Sequence, residues 1–227
     1  RSIQAVTTDP SESVAEGQVW YNTTSDTFKS IVSSSAWSSS AAILTARYST
    51  SGAGTQTAGL IIGGNIGPSD TRTTVVEEYN GSGFSAGGAL PTATRSGGGA
   101  GTQTAAFYAG GYATADVSSA YTYDGSSWTA IPSLGTARRS LNPAGAGTTT
   151  ASIVCGGYAS ASPEGARAFV EEYNGSSWSE QNDLPAARAN VAACGTQTAL
   201  IIANGGPSAV NLSFLYDGTN WTAAPNT

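Results

Sequence analysis

Arginine recurs along this chain at Arg47, Arg95, Arg138 or Arg139, and Arg188, each ahead of a Gly-Thr block, in a protein with only nine Lys and Arg against fifteen Asp and Glu. A guanidinium presents planar, paired donors, so a ring of them in an acidic protein suits a carboxylate or phosphate carried on a ligand. Between the arginines lie Asn65, Asp70 and Arg72, then Tyr112 and Asp116, then Tyr158, Glu164 and Arg167, and last Asn211. Amides, carboxylates and tyrosines in such a mixture offer hydrogen-bond pairs beside a stacking surface, the chemistry that holds a sugar. The plain alternative is that these are solvated loop residues and that each arginine braces a link by bonding carbonyls and a nearby carboxylate.

Other chemistries are excluded by counting. Histidine is absent, which removes the Ser/His/Asp and Cys/His nucleophile systems and His-ligated zinc. Glu77-Glu78 and Glu171-Glu172 are adjacent on expected strands and so point to opposite faces, as supports rather than as a catalytic pair. The reading is a non-enzyme with no cofactor and no metal. With 11% charged residues and a net charge of -6, the chain lacks the basic surface that a nucleic-acid partner requires. Apolar runs such as Leu60 to Ile62 fall far short of the ~20 residues of a membrane helix, so a soluble protein without membrane insertion is expected. The start at Arg1 reads as a processed product or a fragment. Cys155 and Cys194 replace small apolar residues of other repeats; lying ~20 Å apart along a strand axis, they read as two buried free thiols. The Asn-x-Ser/Thr sequons at Asn22, Asn80, Asn174, Asn211 and Asn220 carry no functional weight, because the Asn-Gly-Ser copies are hairpin turns.

What must position the loop residues is a repeat. Gly54-Thr55-Gln56-Thr57 returns at 101–104 and 195–198 and, as Gly147-Thr148-Thr149-Thr150, in between, and each copy is followed by a glycine pair: Gly63-Gly64, Gly110-Gly111, Gly156-Gly157 and Gly205-Gly206. Tyr79-Asn80-Gly81, Tyr123-Asp124-Gly125, Tyr173-Asn174-Gly175 and Tyr216-Asp217-Gly218 follow, each leading to Phe84, Trp128, Trp178 or Trp221. Asn-Gly and Asp-Gly supply the positive φ of tight turns, so each copy reads as four short strands. Four strands at a period in the forties predict an all-β protein built of β-propeller blades. Asn204, an extra residue before the last glycine pair, predicts a β-bulge. In an up-and-down blade the Gly-Thr and Asn-Gly turns lie on one face. The loops after the glycine pairs lie on the other, and their unequal lengths mark it as the specificity face. Residues 1–16 read as an extension. Residues 17–227 read as the propeller, with a partial blade at 17–45 and full blades at 46–94, 95–137, 138–187 and 188–227, most simply five blades. The tryptophans and Phe84 are expected to fill the gaps between blades.

The glycine pair followed by Tyr and Trp resembles the kelch repeat. More specifically, the Gly-Thr-Gln-Thr-Ala wording, Glu-Tyr-Asn-Gly-Ser-Ser-Trp and the Leu-Pro-x-x-Arg linker are similar to kelch-like arrays in virion and tail proteins of large bacteriophages, especially cyanophages. The segment from Asp9-Pro10 through Gly17-Gln18-Val19-Trp20-Tyr21-Asn22 to Phe28-Lys29 resembles a short module of phage tail-fibre proteins. The resemblance implies a virion-surface location and a non-enzymatic module for host attachment through carbohydrate binding. Its implied partners are a host cell-surface glycan and other virion proteins, with a homo-oligomer open. A purely structural decoration or connector is the alternative, and a glycan-cleaving enzyme a third.

Overall fold

The computed structural model describes residues 4–9, 19–30, 39–141, 145–161, 164–206 and 212–224. By its contacts the chain divides into two compact units, Arg1–Ser40 and Ala41–Thr227, whereas the sequence reading places boundaries at 16/17 and 45/46.

In the first unit β1 (Gln4–Val6) pairs in parallel with β2 (Val19–Asn22), which pairs antiparallel with β3 (Thr27–Ser30). The parallel pair is absent from the expected blade pattern. Asn22 Oδ1 closes the turn after β2 by accepting Thr24 N and Ser25 N, and Asp9 accepts side chains of both strands, Trp20 Nε1 at 3.1 Å, Asn22 Nδ2 at 2.6 Å and Lys29 Nζ at 2.7 Å. These donors, Lys29 first, hold the Asp9 carboxyl down at about 2. The expected Val32-to-Trp37 turn lies outside the described residues.

The second unit runs β4 (Arg47–Tyr48), β5 (Ser51–Thr55), β6 (Ala58–Ile62), β7 (Asn65–Ile66), β8 (Thr71–Arg72), β9 (Val76–Tyr79) and β10 (Phe84–Ala86). It continues with β11 (Gly98–Thr102), β12 (Ala105–Ala109), β13 (Ala120–Tyr123), β14 (Trp128–Ile131), β15 (Gly145–Gly147), β16 (Ser152–Cys155), β17 (Tyr158–Ala159), β18 (Gly165–Ala166), β19 (Val170–Tyr173) and β20 (Trp178–Glu180). Last come β21 (Ala192–Thr196), β22 (Ala199–Ala203), β23 (Ser213–Tyr216) and β24 (Trp221–Ala223). Four antiparallel four-stranded sheets result: β5-β6-β9-β10, β11-β12-β13-β14, β15-β16-β19-β20 and β21-β22-β23-β24. No helix occurs among the described residues. The first strands stand side by side in chain order, β5 against β11, β11 against β15 and β15 against β21. The unit is therefore an all-β, propeller-like stack of repeated sheets.

Each sheet is closed by the same turn. Asp124 Oδ1 accepts the backbone N–H groups of Ser126 and Ser127, both at 2.8 Å, while Gly125 holds φ +93°. Asn80, Asn174 and Asp217 do the same in the other sheets. The Ser127 backbone N–H, then the Ser126 hydroxyl and N–H, push the Asp124 carboxyl well below the usual carboxylate range. A carboxyl depressed in the folded state stabilises above its unfolded value, and that stabilisation is lost as pH falls through the folded value. Asp124→Asn is expected to keep the fold at neutral pH, because asparagine already closes the first and third turns. Thermal unfolding of both proteins between about pH 4 and pH 2 checks this, with a smaller acid loss expected in the variant.

Alternation along the second strands builds the cores. Leu60 and Ile62 pack forward against Ala106 and Tyr108 of the second sheet. Phe107 and Ala109 pack forward against Val154 of the third, and Ile153 and Cys155 against Leu200 and Ile202 of the fourth. Buried among these residues, the Cys155 thiol is pushed up to about 12. Cys194, expected to be buried too, is exposed: it takes the place of Ala53, Ala100 and Ala146, which face the following sheet.

Hydrogen bonds clamp the same interfaces. Gln103 Nε2 reaches back to Gly59 O at 3.0 Å and Tyr79 O at 2.8 Å, and Gln197 Nε2 to Ser152 O and Tyr173 O at 3.1 and 3.0 Å. Trp128, Trp178 and Trp221 donate Nε1 to Gly88 O, Pro132 O and Asn182 O of the preceding sheet at 2.8 to 2.9 Å. The indoles are half-buried rather than enclosed. Glu78 and Glu172 accept the hydroxyls of Tyr123 (2.6 Å) and Tyr216 (3.1 Å) from the following sheet, while Glu77 and Glu171 point the other way. These pairs therefore act as supports on opposite faces.

The glycine pair turns the chain sharply out of each second strand. Gly63 and Gly64 have φ +59° and +107°, and a Cβ on Gly64 would lie 2.7 Å from Tyr48 O. In the fourth sheet Asn204 (φ +62°) and Gly205 (φ +96°) take these two positions. Asn204 N bonds Leu212 O as Gly63 N bonds Val75 O. The expected β-bulge is thus not formed. Asparagine tolerates the left-handed region, so the motif slides by one residue instead of bulging.

Candidate functional site: the loop face

The recurring arginines fall into two registers, not one ring. Backbone pairing aligns Arg47, Thr94, Arg138 and Arg188 at one position, and Tyr48, Arg95, Arg139 and Ala189 at the next. The first set is scaffold. Arg47 and Arg138 side chains are fully buried and pair with Glu77 at 3.1 Å and Glu171 at 2.6 Å. Each glutamate also holds the incoming link, through Leu44 N and Thr45 N in one sheet and Gly135 N in the next. Burial pulls the Arg47 guanidinium below its ordinary value, with Glu77 opposing. Where the arginine is Thr94, the glutamate position is Tyr121; in the fourth sheet Arg188 lies over Phe214 at 5.5 Å. In the second sheet cation and carboxylate are replaced together, whereas the fourth keeps the cation and meets it with an aromatic face.

The second register forms the site. Each loop after a glycine pair folds back as a short hairpin against its incoming link: Tyr48–Asn65–Arg72, Arg95–Tyr112–Asp116, and Arg139–Tyr158 with the β17–β18 pair. This pairing brings Arg72, Arg95 and Arg139 around the Tyr112 ring at 5.6, 5.0 and 5.0 Å, and Arg139 also over Tyr158 at 4.6 Å. Asp70 pairs with Arg72 at 3.2 Å and Arg95 at 3.3 Å, and Asp116 pairs with Arg139 at 2.5 Å. Asn65, fully buried, donates to Asp70 Oδ1 at 2.5 Å and so fixes a residue held at φ +52°. A cleft of ≈ 570 Å³ opens beside this network, lined by Asp70, Arg72, Thr92 and Thr114 among others.

Other expected residues stand apart or outside. The Tyr158 hydroxyl donates to Glu164, which raises the tyrosine's pKa. Arg167 bridges Arg188, bonds Ala161 O at 3.0 Å and lies over Phe169 at 6.0 Å. Asn211 lies outside the described residues, and the fourth sheet brings Ala189 and Gly206 to the register where the others have a cation and an aromatic or amide. Ser160 was not expected: its Oγ accepts from Arg139 at 2.7 Å and its N–H donates to Asp116 at 2.5 Å. The tandem Arg138-Arg139 was the available signal that two registers exist.

The network presents guanidinium and carboxylate edges rather than a bare aromatic face, because guanidiniums already crowd the Tyr112 ring. It suits hydroxyl pairs and anionic groups. Of the network's carboxylates, Asp70 lines the cleft. Among the described residues, no three His, Cys, Asp or Glu side chains gather as metal ligands do. No family model matches the chain, and no curated protein matches it either.

Proposed function

We propose that the chain is a non-enzymatic, kelch-like β-propeller module of a phage virion, placed on the tail, a fibre or an appendage, that attaches to host-surface glycan through its loop face. The supporting observation is the Asp70–Arg72–Arg95–Tyr112–Arg139 network beside the cleft. Three cations with side chains 24 to 26% exposed, beside the exposed Asp70 and the buried Asp116, make a directional surface for hydroxyls and for an acidic sugar substituent. The phage setting comes from the repeat wording and the Asp9 to Lys29 segment. A structural virion part is the second reading, favoured by the exposed apolar residues Ile201 and Leu215 on the fourth sheet.

Glycan-array and host-cell binding by the purified protein tests the proposal. Asp70→Ala and Arg72→Ala are each expected to weaken binding at least about tenfold, since each removes a charge-assisted partner. Ser126→Ala, on the opposite turn face, should leave it unchanged. Absence of binding, or equal binding by all variants, gives the structural reading.

A further inference from the structure

We infer that the open face of the fourth sheet is a self-association surface that receives the open face of the first sheet of a second copy of the chain. The inference does not depend on the loop-face ligand.

Every forward-facing position of the repeat is covered except in the fourth sheet. Leu60 (2%), Phe107 (0%) and Ile153 (0%) are buried by the following sheet, but Ile201, their equivalent, is 42% exposed. Leu215 beside it is 41% exposed, and Cys194 is exposed where Ala53, Ala100 and Ala146 pack into cores. A groove of ≈ 480 Å³ runs over these residues with Thr198, Ala199 and Tyr216.

The three observed interfaces show what such a face accepts: a following sheet with small or apolar residues at its own backward positions and, in two of the three, a glutamine reaching back to two carbonyls, the third sheet having Thr149 there. The carbonyls of Leu200 and Tyr216 occupy that register in the fourth sheet, equivalent to Gly59 and Tyr79, or Ser152 and Tyr173. The first sheet carries the matching parts. Gln56 is exposed at the position of Gln103 and Gln197, and Gly59 and Ile61 are incompletely buried at the positions of Ala106 and Tyr108.

Two further features match by what both sides lack. At the interfaces below the second and fourth sheets a tyrosine hydroxyl meets Glu78 or Glu172. The fourth sheet has Leu215 at that place, and the first sheet's Tyr79 directs its hydroxyl to Gly81 O of its own turn at 2.8 Å. Later sheets present a tryptophan N–H to the sheet before, and the first presents Phe84, which has none. Among the described residues the charge on these central strand faces is Glu77 beside Ile61, and it is already paired with Arg47 at 3.1 Å, so the contact leaves no unpaired ion to bury. Fourth sheet to first sheet is a heterologous contact, and two copies making it twice close a ring of eight sheets, within the four to about eight blades of known propellers.

The test is analytical ultracentrifugation of the full chain across the micromolar range, with thiol labelling as a second readout. Expected are a dimer, a Cys194 thiol protected in it, and a dimer dissociation constant raised at least about 100-fold by Ile201→Asp. Gln56→Ala should weaken the dimer by a smaller factor. Cys155, buried in its own core, should stay unlabelled throughout and reports that each variant is folded. A monomer at every concentration overturns the inference, as does a dimer that Ile201→Asp and Gln56→Ala leave unchanged with Cys194 freely labelled.

Discussion

Arg138→Met is expected to cost about 3 to 5 kcal/mol of folding free energy, the largest loss of any single change in the loop-face framework. Arg138 is wholly buried, and its Nη1 donates to Glu171 Oε1 at 2.6 Å. Without the cation, Glu171 keeps only Gly135 N at 2.7 Å among these donors and is left as a buried charge. The double variant R138M/E171M is expected to recover all but about 1 to 2 kcal/mol, because no ion then needs a partner and only the Gly135 N–H loses its acceptor. The second sheet already demonstrates the uncharged solution, with Thr94 and Tyr121 at the same two positions and both buried. Urea unfolding of the two singles and the double gives the coupling directly. A single-variant loss under about 1 kcal/mol, or a double variant as unstable as the summed singles, contradicts the brace.

Trp178→Ala is the second large effect, at about 3 kcal/mol, the lower end for an aromatic truncation because the indole is half-buried. Trp178 packs tilted against Tyr173 with centroids 5.2 Å apart, meets Phe107 of the preceding sheet edge-on at 6.4 Å and donates to Pro132 O at 2.8 Å. Removing the ring opens the second interface on two sides at once. Trp178→Phe should cost only about 1 kcal/mol, the worth of the lost hydrogen bond with the packing kept. Phe84 already fills this position in the first sheet, its ring tilted against Tyr79 with centroids 4.8 Å apart. Denaturant midpoints at constant slope check both values, and an alanine variant within about 1 kcal/mol of wild type denies the indole its role between sheets.

Much of this architecture was written locally. The Asn-Gly and Asp-Gly turns, the four short strands per repeat and the opposite facing of Glu77 and Glu78 follow from turn chemistry and period-two alternation, which act over neighbouring residues. The same logic failed by one residue at Asn204. Counting glycines placed the pair at Gly205-Gly206, while the backbone required only a left-handed conformation, which asparagine also supplies. The fate of the arginines depended on that register. Arg138 and Arg139 are indistinguishable as sequence, yet one is buried against Glu171 and the other stands over Tyr112 and Tyr158.

The amino-acid sequence by itself determined the all-β class, the repeat and its turns, the absence of histidine chemistry and the loops that carry polar side chains. Only the tertiary structure decided which cations are brace and which are surface, that Asp70 and Arg95 from different repeats meet around Tyr112, and that Cys194 faces outward while Cys155 is enclosed. The physical reason is range. Turn type and strand alternation are set by residues a few positions apart, whereas burial and charge pairing are set by the neighbouring sheet, whose matching residues lie some 46 to 48 positions away, as the spacing of the Gly-Thr blocks shows.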